Sequence, residues 1–456
     1  MQKLRNTVSR RQFLASSGGA ASLLILPSGT FGSEGLSPAN KLNIAFVGMG
    51  SQIQGHVKNV IGQGHNVVAF CDVDASQIAQ SKIRHGDAVA QTKIYDDYRR
   101  LFESEKSLDA VVIATPDHWH AQICKMAIEA NLHVYCEKPL AHTVSEARML
   151  RELSRKSDVV TQLGNQGSAS ANLRRSIELI QAGLFGEITQ VHVWHPEHNW
   201  PSGVARPAGA DPVPAGLAWD FWCGPSPLRP YKSDIYHPKN WRGWYDFGNG
   251  SIGDFCCHGF NLPVRALNLD YPTRIEVSGT GLGFESYSKS STTHMHFPAK
   301  GKRGPVVLNF YTGGDMPPEE LTNELVGTFG SVPRTGCILE GSQGLLSAGL
   351  WNTDGYMKLN DEARFVGHTK HPAAIALPQH LPRVADHLQE WTDAIRTGST
   401  TFSDFDTGGH LTEIGLAGVV ALRLQKTITW DGPSMRAVGI PEADALVHQV
   451  PRTKWL

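Results

Sequence analysis

The fold of this 456-residue chain is decided at residues 42–50, which read LNIAFVGMG. The mostly apolar run Leu42–Val47 is typical of a buried parallel strand, and it ends directly in the glycine pair Gly48 and Gly50. A helical pattern follows at Ile53–Ile61. In this order of strand, glycine turn and helix, a dinucleotide pyrophosphate can rest on the N–H groups that open the helix.

The same alternation of short apolar runs and helical patterns continues beyond this stretch. Further buried strands are predicted at Asn66–Cys71, Leu108–Ala114, His133–Cys136 and Val159–Leu163. Helical patterns lie at Ser76–Arg84, Tyr98–Glu103, His120–Ala130 and Val144–Arg155. Alternating strands and helices form a parallel sheet that is covered on both faces. We therefore expect a doubly wound Rossmann domain of the α/β class over residues 41–165.

An acidic residue stands where a dinucleotide-binding domain holds the ribose. Asp72 ends the second predicted strand, 24 residues after Gly48, and a carboxylate there can bind both ribose hydroxyls. The same charge repels a 2′-phosphate, so the sequence predicts NAD as the cofactor, with NADP less favoured. Ile53 replaces the third glycine of the G-x-G-x-x-G pattern. The alternative interpretation is an ordinary glycine turn beside a solvated aspartate.

The chain changes character after residue 165. Helical patterns lie at Asn172–Ala182, His387–Arg396 and Leu411–Leu424, and alternating strands at Glu187–Trp194, Arg274–Gly279, Thr292–His296, Val306–Tyr311 and Cys337–Glu340. This predicts an α+β domain over residues 166–432 for substrate binding and oligomerisation, followed by a C-terminal tail at 433–456. Residues 201–230 hold seven prolines and predict a long loop, which is usually functional or disordered.

Composition excludes several classes of protein. The 42 basic and 43 acidic residues leave a net charge of −1, whereas a nucleic-acid-binding protein needs a basic excess. With 41% hydrophobic and 19% charged residues, the chain is not a disordered one. The seven cysteines are odd in number and form no C-x-x-C pair, so we expect buried thiols rather than a disulfide framework.

The first 35 residues have the pattern of an export signal. The motif Ser9-Arg10-Arg11-Gln12-Phe13-Leu14 precedes a short apolar stretch at Ala20–Leu26. Paired arginines in this setting predict a twin-arginine signal, which addresses folded proteins for export. We therefore expect a periplasmic or otherwise exported protein without stable membrane insertion, tethered to the membrane if the signal stays uncleaved. A basic, disordered tail is the alternative.

Two polar loops follow strands whose carboxyl ends form the ligand edge of a parallel sheet. One loop is Ala114–His120, and the other is Cys136–Leu140, which contains Glu137 and Lys138. A partly desolvated lysine at this edge can exchange a proton with a substrate hydroxyl beside the reactive end of the cofactor. A surface lysine paired with Glu137 is the alternative.

With these residues in view, the chain resembles the glucose–fructose oxidoreductase/inositol dehydrogenase/MocA (Gfo/Idh/MocA) family, in its exported, twin-arginine branch. The resemblance extends from Lys41 to about Gly432. It rests on four motifs, namely the Gly48–Gly50 turn, Thr115-Pro116 with His120, the triplet Glu137-Lys138-Pro139, and the segment Asp254–His258. It implies a Rossmann domain followed by an α/β domain whose open-faced, largely antiparallel sheet closes the active site.

The resemblance also implies that Lys138, Asp254 and His258 form the catalytic group. Asp254 and His258 are four residues apart, so they share one face of a helix, and that arrangement suits acid–base work by the histidine. Two positions depart from the family pattern, Ile53 in the phosphate loop and Asn261 after the histidine. The candidate cofactor-binding residues are Gly48, Met49, Gly50, Ser51, Gln52, Asp72, Thr115, Pro116, His120, Glu137, Lys138 and Gln166.

Six of the eleven tryptophans lie between residues 194 and 244. Flat aromatic faces with polar neighbours suit a sugar ring, although core packing is the alternative for any single tryptophan. The candidate substrate-binding residues are Trp194, His195, Arg242, Trp244, Tyr245, Asp254 and His258. Histidine pairs at 195/198 and 118/120 lack a carboxylate or cysteine to complete a metal site, so none is predicted.

Three functions are compatible with these residues. The first is an oxidoreductase that transfers a hydride between a tightly bound NAD and a secondary alcohol of a sugar, polyol or glycoside. The second is an NAD-dependent glycosidase that works by transient oxidation, elimination and re-reduction, for which Tyr245, Tyr311 and His195 are candidates for an additional base. The third is a non-catalytic sugar-binding protein. An open sheet with exposed edges also predicts a homo-oligomer, either a dimer or a tetramer.

Overall fold

The structure of the protein is a computed structural model that describes residues 40–196 and 200–452. The predicted signal peptide at residues 1–35, His198 and residues 453–456 of the predicted tail lie outside the described residues. The first part of the described chain builds a six-stranded parallel sheet with the strand order β3-β2-β1-β4-β5-β6. Its strands are β1 (Asn43–Val47), β2 (Asn66–Cys71), β3 (Lys93–Tyr95), β4 (Ala110–Ile113), β5 (His133–Glu137) and β6 (Thr161–Gly164). Its helices are α1 (Ile53–Gly62), α2 (Ala75–His85), α3 (Tyr98–Ser104), α4 (Asp117–Glu129) and α5 (Val144–Arg155).

The register of this sheet brings the ends of its central strands together. Val47 of β1 pairs with Cys71 of β2 and with Ile113 of β4, and Ile113 pairs with Cys136 of β5. The four residues of β4 are all buried, as expected of a parallel strand covered on both faces. The loops that follow these strands therefore open on one edge of the sheet.

Two details of this domain differ from the sequence-based prediction. The short strand β3 was not predicted, because two of its three residues are exposed and give no apolar run. Helix α4 begins at Asp117 rather than His120, since Pro116 adopts an extended conformation directly before it. A proline that precedes a helix in this way fixes where the first turn starts.

The second part of the chain builds a ten-stranded sheet with the order β14-β13-β12-β11-β7-β10-β9-β8-β15-β16. Only β7 and β10 pair in parallel among the neighbouring strands of this described sheet. Its strands are β7 (Ile188–His195), β8 (Arg274–Thr280), β9 (Ser290–Phe297), β10 (Val306–Thr312), β11 (Gly336–Gly341), β12 (Gly344–Ala348), β13 (Tyr356–Leu359), β14 (Val366–Gly367), β15 (Ile428–Asp431) and β16 (Arg436–Ala437). The predicted fold class, a Rossmann sheet followed by a largely antiparallel sheet, is confirmed.

The second part also contains helices, and the longest of them packs on both the ten-stranded sheet and the Rossmann domain. They are α6 (Ala171–Gln181), α7 (Trp219–Cys223), α8 (Gly250–Gly259), α9 (Asn261–Ala266), α10 (Glu319–Phe329), α11 (Pro372–Ile375), α12 (His387–Thr397), α13 (Phe405–Leu424) and α14 (Asp444–Val447). Helix α13 is buried on almost all sides. A Cβ on its Gly415 would lie 2.2 Å from the sulfur of Cys256 in α8, so glycine permits the close approach of these two helices.

A buried ion network joins the two parts of the molecule. Glu413 of α13 accepts hydrogen bonds from Arg148 and Arg151 of α5, each with a shortest N–O distance of 2.7 Å. The side chain of Glu413 is only 1% exposed, and Tyr271 accepts from both guanidinium groups. Because a buried carboxylate needs such partners, the pairing of α5 with α13 is fixed by charge as well as by packing.

Three further predictions from the sequence concern buried cysteine thiols, membrane-spanning helices and the C-terminal tail. All seven cysteines are buried and free, as predicted for thiols of the core. Among the helices of the described chain, none combines the length and the apolar character that spanning a bilayer requires. Residues 433–452 of the predicted tail pack on the protein, and Arg452 donates to the Asp220 carboxylate at 2.7 Å.

Candidate active site

The glycine turn after β1 brings backbone close to the ligand edge of the sheet. Gly48 has a φ of +86°, and its N–H donates to the carbonyl of Cys71 at 2.9 Å. A Cβ at this position would lie 2.7 Å from the carbonyl group of Ala114, so only glycine fits. At Gly50, no atom of the described chain lies within 4 Å of an added Cβ, which leaves room for a ligand beside the turn.

Asp72 lies at the end of β2, beside the same turn. Its Oδ2 accepts the N–H of Met49 at 2.5 Å, and its Oδ1 accepts the N–H of Asp74 at 2.8 Å. Burial raises the pKa of Asp72 to about 6, although the two N–H donors oppose the rise. The carboxylate is therefore largely ionised at neutral pH, which suits the ribose hydroxyls of NAD and repels a 2′-phosphate.

A cleft runs along this edge of the Rossmann sheet from Asp72 to Lys138. Its lining includes ten of the predicted cofactor-binding residues, namely Gly48, Gly50, Ser51, Gln52, Asp72, Thr115, Pro116, His120, Glu137 and Lys138. The buried hydroxyl of Thr115 has no hydrogen-bond partner in the described chain, so it is free to bond to a ligand in the cleft. The side chain of Met49 is buried, so this residue contributes to the turn through its backbone N–H, which donates to Asp72. These residues fit a bound NAD.

Residues 217–247, which we call the cap segment, cover the outer side of this cleft. Near its beginning, the N–H of Ala218 donates to the carbonyl of Val73 at 2.9 Å. Further along, His237 Nε2 lies 2.8 Å from Asp74 Oδ2. Burial would raise the pKa of Asp74, but its bonds to His237 and Ser76 lower it to about 2. The segment is therefore attached to the Rossmann domain beside Asp72.

The cap segment has a small apolar core of its own. Trp219 and Trp222 stack with ring centroids 4.7 Å apart. Trp222, Trp241 and Phe221 also line the cleft, so part of the predicted tryptophan cluster faces the cofactor site. His118 of α4 holds the segment from below, with its two ring nitrogens 3.1 and 2.9 Å from backbone carbonyls at residues 247 and 222.

Lys138 lines the end of the cleft opposite Asp72, which we call the reaction end, and is paired with Asp254 of α8. The Lys138 Nζ is 3.0 Å from Asp254 Oδ1 and 3.1 Å from the Asp254 carbonyl, and it lies over the ring of Phe255. Arg242 Nε approaches the same Oδ1 at 3.5 Å. Burial would raise the pKa of Asp254, but the charges of Lys138 and Arg242 outweigh it and lower the pKa.

His258 stands one turn further along α8 and is buried. Burial, assisted by the charge of Lys138, lowers the pKa of His258 to about 3, so the ring is neutral at physiological pH. Its Nδ1 has no hydrogen-bond partner within residues 40–196 and 200–452, while Asn352 holds its backbone carbonyl at 2.9 Å. A neutral imidazole with a partnerless ring nitrogen can accept a hydrogen bond from a ligand hydroxyl.

Glu137 precedes the lysine and does not pair with it. The carboxylate of Glu137 instead accepts from His56 Nε2 at 2.6 Å and from Gln166 Nε2 at 2.8 Å. Burial would raise the pKa of Glu137, but the bond to His56 lowers it. The alternative interpretation of Lys138 as a surface lysine bridged to Glu137 is wrong, since Lys138 is 15% exposed and pairs with Asp254.

Comparison with known proteins gives this arrangement a family. Residues 42–165 match the profile described as "Oxidoreductase family, NAD-binding Rossmann fold". Residues 171–281 match the companion profile, "Oxidoreductase family, C-terminal alpha/beta domain". The protein belongs to the Gfo/Idh/MocA oxidoreductase family.

Curated relatives of this family member include sugar-active proteins. An alpha-N-acetylgalactosaminidase of Tannerella forsythia is 30% identical over 162 residues, which cover 33% of this chain and 34% of that protein. An inositol 2-dehydrogenase of Salmonella typhimurium is 27% identical over 36% of this chain and 50% of that protein. A glycosyl hydrolase family 109 protein of Stenotrophomonas maltophilia is 24% identical over 66% of this chain and 65% of that protein. The first of these relatives are thus matched over a third to a half of their length.

Two solved structures of the same fold align with this chain over nearly their whole length. The WlbA dehydrogenase from Bordetella pertussis, solved with NADH and UDP-GlcNAcA, superposes with a TM-score of 0.58 at 15% identity, over 86% of this chain and 99% of that chain. Levoglucosan dehydrogenase with NADH gives a TM-score of 0.56 at 16% identity, over 84% and 97%. At such low identity the likeness establishes the Gfo/Idh/MocA fold.

The two departures from the family pattern have structural explanations. Ile53 is fully buried at the start of α1, and the glycine turn is held instead by Gln54, whose Nε2 donates to the carbonyls of Met49 and Gly50 at 2.9 and 3.0 Å. Asn261 is buried at the start of α9, where it donates to Ser168 Oγ at 2.9 Å. Both residues serve the packing around the site.

Three predicted substrate-binding residues lie away from the cleft, which corrects their prediction. Trp194 is fully buried, and its side chain lies on the face of β7 opposite to that of Val193. Its indole N–H donates to the carbonyl of residue 333. Trp244 is buried within the cap segment and donates to the carbonyl of residue 235. Tyr245 packs edge-on against Tyr287, with Arg423 over its ring. Core packing, the alternative interpretation, describes these side chains.

Of the two remaining candidates for an additional base, Tyr311 lies away from the cleft and His195 lies near Lys138. Tyr311 bonds through its hydroxyl to His192 Nδ1 at 2.9 Å, and it packs with Trp194 in a cluster apart from the cleft. His195 stacks on Phe255 at 3.7 Å and so lies next to the ring under Lys138. No group of three or more His, Cys, Asp or Glu residues in the described parts of the chain could hold a metal ion.

The sequence analysis missed one polar residue of the site. Asp117 opens α4, lines the cleft with Lys138 and Arg242, and is only 1% exposed. Its Oδ2 accepts the amide of Asn249 at 3.0 Å. The available signal was its place directly after Thr115-Pro116, at the ligand edge of the sheet.

Proposed function

We propose that the protein is an oxidoreductase that interconverts a secondary alcohol and its carbonyl in a sugar, polyol or glycoside, with NAD as cofactor. The observation that carries this proposal is Lys138, which lines the end of the NAD-binding cleft and pairs with Asp254 on the helix that also carries His258. When bound, NAD supplies the hydride acceptor for alcohol oxidation. Sugar-active proteins among the relatives support a carbohydrate substrate.

The residues of the reaction end divide the proton chemistry among them. Lys138 donates hydrogen bonds from an ammonium group that Asp254 holds at 3.0 Å, so it can bind the substrate oxygen and exchange a proton there. His258 is neutral, and its Nδ1, which has no partner in the described chain, can accept a hydrogen bond from the substrate hydroxyl. Arg242 adds a second positive charge beside Asp254, which stabilises negative charge that develops on the oxygen.

We further propose that NAD is tightly held between turnovers. The cap segment covers the cleft and is attached to the Rossmann domain through Ala218 and through the His237–Asp74 pair. A cofactor beneath it leaves only when these contacts open. Retention suits an exported enzyme, and we keep the twin-arginine signal, the periplasmic location and a homo-oligomeric state as parts of this proposal.

The test is an absorbance spectrum of the purified protein, before and after addition of a panel of sugars, polyols and glycosides. We expect dinucleotide to copurify and a band near ~340 nm to rise with one class of compound. Lys138→Met should keep the dinucleotide and lose the band. A wild-type protein that binds no dinucleotide on titration would overturn the proposal, as would full turnover by the variant.

A second candidate function is a redox-neutral, NAD-dependent glycosidase. It is favoured by the length of the match to the glycosyl hydrolase family 109 protein of Stenotrophomonas maltophilia, which covers 66% of this chain. Release of an aglycone from glycosides without net accumulation of reduced cofactor would establish this activity. Net reduction that matches product one to one would exclude it.

A further inference from the structure

An exposed tryptophan of the second domain lies beside the proposed acid–base residues. Trp351 follows β12 and is 41% exposed. Every other tryptophan that the structure describes is buried or half-buried. An exposed indole leaves a large, flat apolar surface in water, and such a surface with polar groups nearby is typical of a binding site.

Ring contacts place the indole of Trp351 next to the reaction end. Its ring centroid lies 5.8 Å from that of His258. It also packs edge-on against Phe255, with centroids 6.4 Å apart. Lys138 Nζ lies 5.4 Å from the centroid of the same Phe255 ring. Trp351 therefore borders the site at which Lys138 and His258 meet a substrate.

This aromatic surface lies beyond the cofactor cleft. Trp351, Phe255 and His258 are not among the described residues that line the cleft. Lys138 belongs to both regions, because it lines the cleft and also lies over Phe255. NAD in the cleft therefore leaves Trp351 uncovered, and a second molecule can reach Lys138 along the side of the second domain.

The backbone that carries Trp351 is held in place by the surrounding protein. Asn352 has a φ of +56°, and its side-chain amide donates to the carbonyls of His258 and Leu350 at 2.9 and 3.3 Å. A Cβ on Gly167 would lie 2.1 Å from the Trp351 carbonyl oxygen, so the two backbones are in direct contact. A ring on a preformed loop loses little conformational freedom when a ligand stacks on it.

The other tryptophans near the reaction end have a ring face occupied by protein groups. Arg242 lies 4.1 Å from the ring centroid of Trp241, and Trp200 lies parallel to Phe255 with centroids 6.2 Å apart. Trp351 meets its ring neighbours in the described chain edge-on or at a tilt. These contacts leave a face of the Trp351 indole for a ligand.

We propose that Trp351 is a stacking residue for the substrate, and that the substrate class is a six-membered carbohydrate ring rather than an acyclic polyol. The proposal rests on the proposed function, because the ring must bring a hydroxyl to Lys138. A chair-shaped ring has C–H groups that pack on a flat indole, while its hydroxyls point outward from the edge. Lys138 and the unpartnered Nδ1 of His258 bond to hydroxyls at that edge. An acyclic polyol has no such flat apolar face.

The experiment compares rings with acyclic polyols of the same configuration. The methyl pyranosides of glucose, galactose and mannose, together with myo-inositol, are titrated calorimetrically into protein loaded with NADH, which binds an alcohol without turnover. Sorbitol, galactitol and mannitol are the acyclic counterparts. We expect the wild type to bind at least one ring more than tenfold more tightly than any acyclic polyol.

Variants of Trp351 are then titrated with the ring that the wild type binds most tightly. In Trp351→Ala the Kd should rise about 10- to 100-fold, because the apolar surface of the indole is lost. Trp351→Phe keeps a smaller ring, so the rise should stay below about tenfold. Phe284→Ala is the matched control, since it removes an aromatic ring that is 43% exposed elsewhere, and its Kd should equal that of the wild type. NADH affinity should stay within about threefold in every variant.

An unchanged Kd for the ring in Trp351→Ala would overturn the stacking role, as would a wild type that binds none of the rings. Turnover of acyclic polyols alone would overturn the ring as substrate class and leave the oxidoreductase intact. Rings that bind through Trp351 without any change in nicotinamide absorbance would defeat the proposed function and keep the stacking role. Light scattering on Trp351→Ala completes the test, because a smaller assembly with an unchanged Kd would assign the residue to a subunit contact instead.

Discussion

The two ends of the cleft are built on different principles. The nucleotide end is local, because Gly48, Met49 and Asp72 belong to one strand–turn–helix–strand unit and use backbone N–H groups. The reaction end is assembled from Asp117 and Lys138 of one domain together with residues from the other. The difference teaches that the contacts around the glycine turn form within the first domain, whereas the proposed acid–base group is assembled from both domains.

The pKa of a buried aspartate is also shifted in opposite directions at the two ends of the cleft. Asp72 has only backbone donors, so burial raises its pKa to about 6. Asp254 is buried too, yet Lys138 and Arg242 lower its pKa. A carboxylate that binds neutral hydroxyls needs no counter-ion, whereas one that positions an ammonium group must stay ionised.

The largest expected effect is a loss of hydride transfer without a loss of NAD binding. Lys138→Met removes the ammonium group and keeps most of the side-chain volume, so hydride transfer should fall about 10²–10⁴-fold. NAD binding should remain within about threefold of wild type, since the nucleotide end is untouched. Single-turnover absorbance and calorimetric titration with NAD measure the two properties. Equal loss of both would show that the ends are not independent.

The next largest effect should come from the nucleotide end. Gly48→Ala places a Cβ 2.7 Å from the Ala114 carbonyl group, at a φ of +86°. We expect a loss of about 2–4 kcal/mol of stability and a large loss of NAD affinity. Gly55→Ala in α1 is the control, because its Cβ would meet no described atom within 4 Å and a helical alanine is favourable. Thermal unfolding with and without NAD distinguishes them.

A pH series should reveal opposite signs at the two ends. The folded pKa of His258 is about 3, so the unfolded chain takes up a proton below pH ~6.5 that the folded one refuses, and stability is lost as pH falls. For Asp72, with a folded pKa of about 6, stability is lost as pH rises through ~4 to 6.

Two isosteric variants isolate these contributions. His258→Gln should gain about 1–3 kcal/mol relative to wild type on going from pH 7 to pH 4, and Asp72→Asn should lose a similar amount over the same interval. Each variant is compared with itself at two pH values, so changes in packing cancel. Denaturant unfolding provides the free energies, and shifts of the same sign in both variants would contradict the assignment.

The smallest effect concerns a tryptophan that the sequence pattern placed in the site. Trp194 packs with Ile338 and Leu325 in a cluster away from the cleft, so Trp194→Phe should lower stability slightly and leave KM within twofold. Trp241 lines the cleft, and Trp241→Phe should speed the release of NAD several-fold. Cofactor dissociation measured by fluorescence, alongside substrate KM, would expose any role of Trp194 in binding.

Sequence could predict the nucleotide end because the contacts among Gly48, Met49 and Asp72 lie within one strand–turn–helix–strand unit. The strand Asn43–Val47, the turn at Gly48 and the acid at Asp72 follow from hydrophobic pattern, turn chemistry and spacing alone. Lys138 with Asp254 and His258 could be proposed only through the family resemblance. No local pattern states that residues 116 positions apart in the chain lie 3.0 Å apart.

The misses have equally specific causes. Strand alternation predicts that Trp194 and Val193 point to opposite sides of β7, but it does not state which side borders the cleft. The density of tryptophans in residues 194–244 suggested a sugar platform, whereas four of them, Trp219, Trp222, Trp241 and Trp244, belong to the apolar core of the cap segment. Asp117 was overlooked because the helix was expected to begin at His120, which left the residue in a loop.

The ion network between α5 and α13 bears on how the molecule unfolds. Separation of the Rossmann unit at residue 165 would remove both guanidinium partners of Glu413 and uncover the face of α13 on which α5 packs. Heating should therefore produce one cooperative calorimetric transition rather than two. Residue 165 is a boundary of topology, and shuffling the Rossmann unit into another protein would require a new partner for α5.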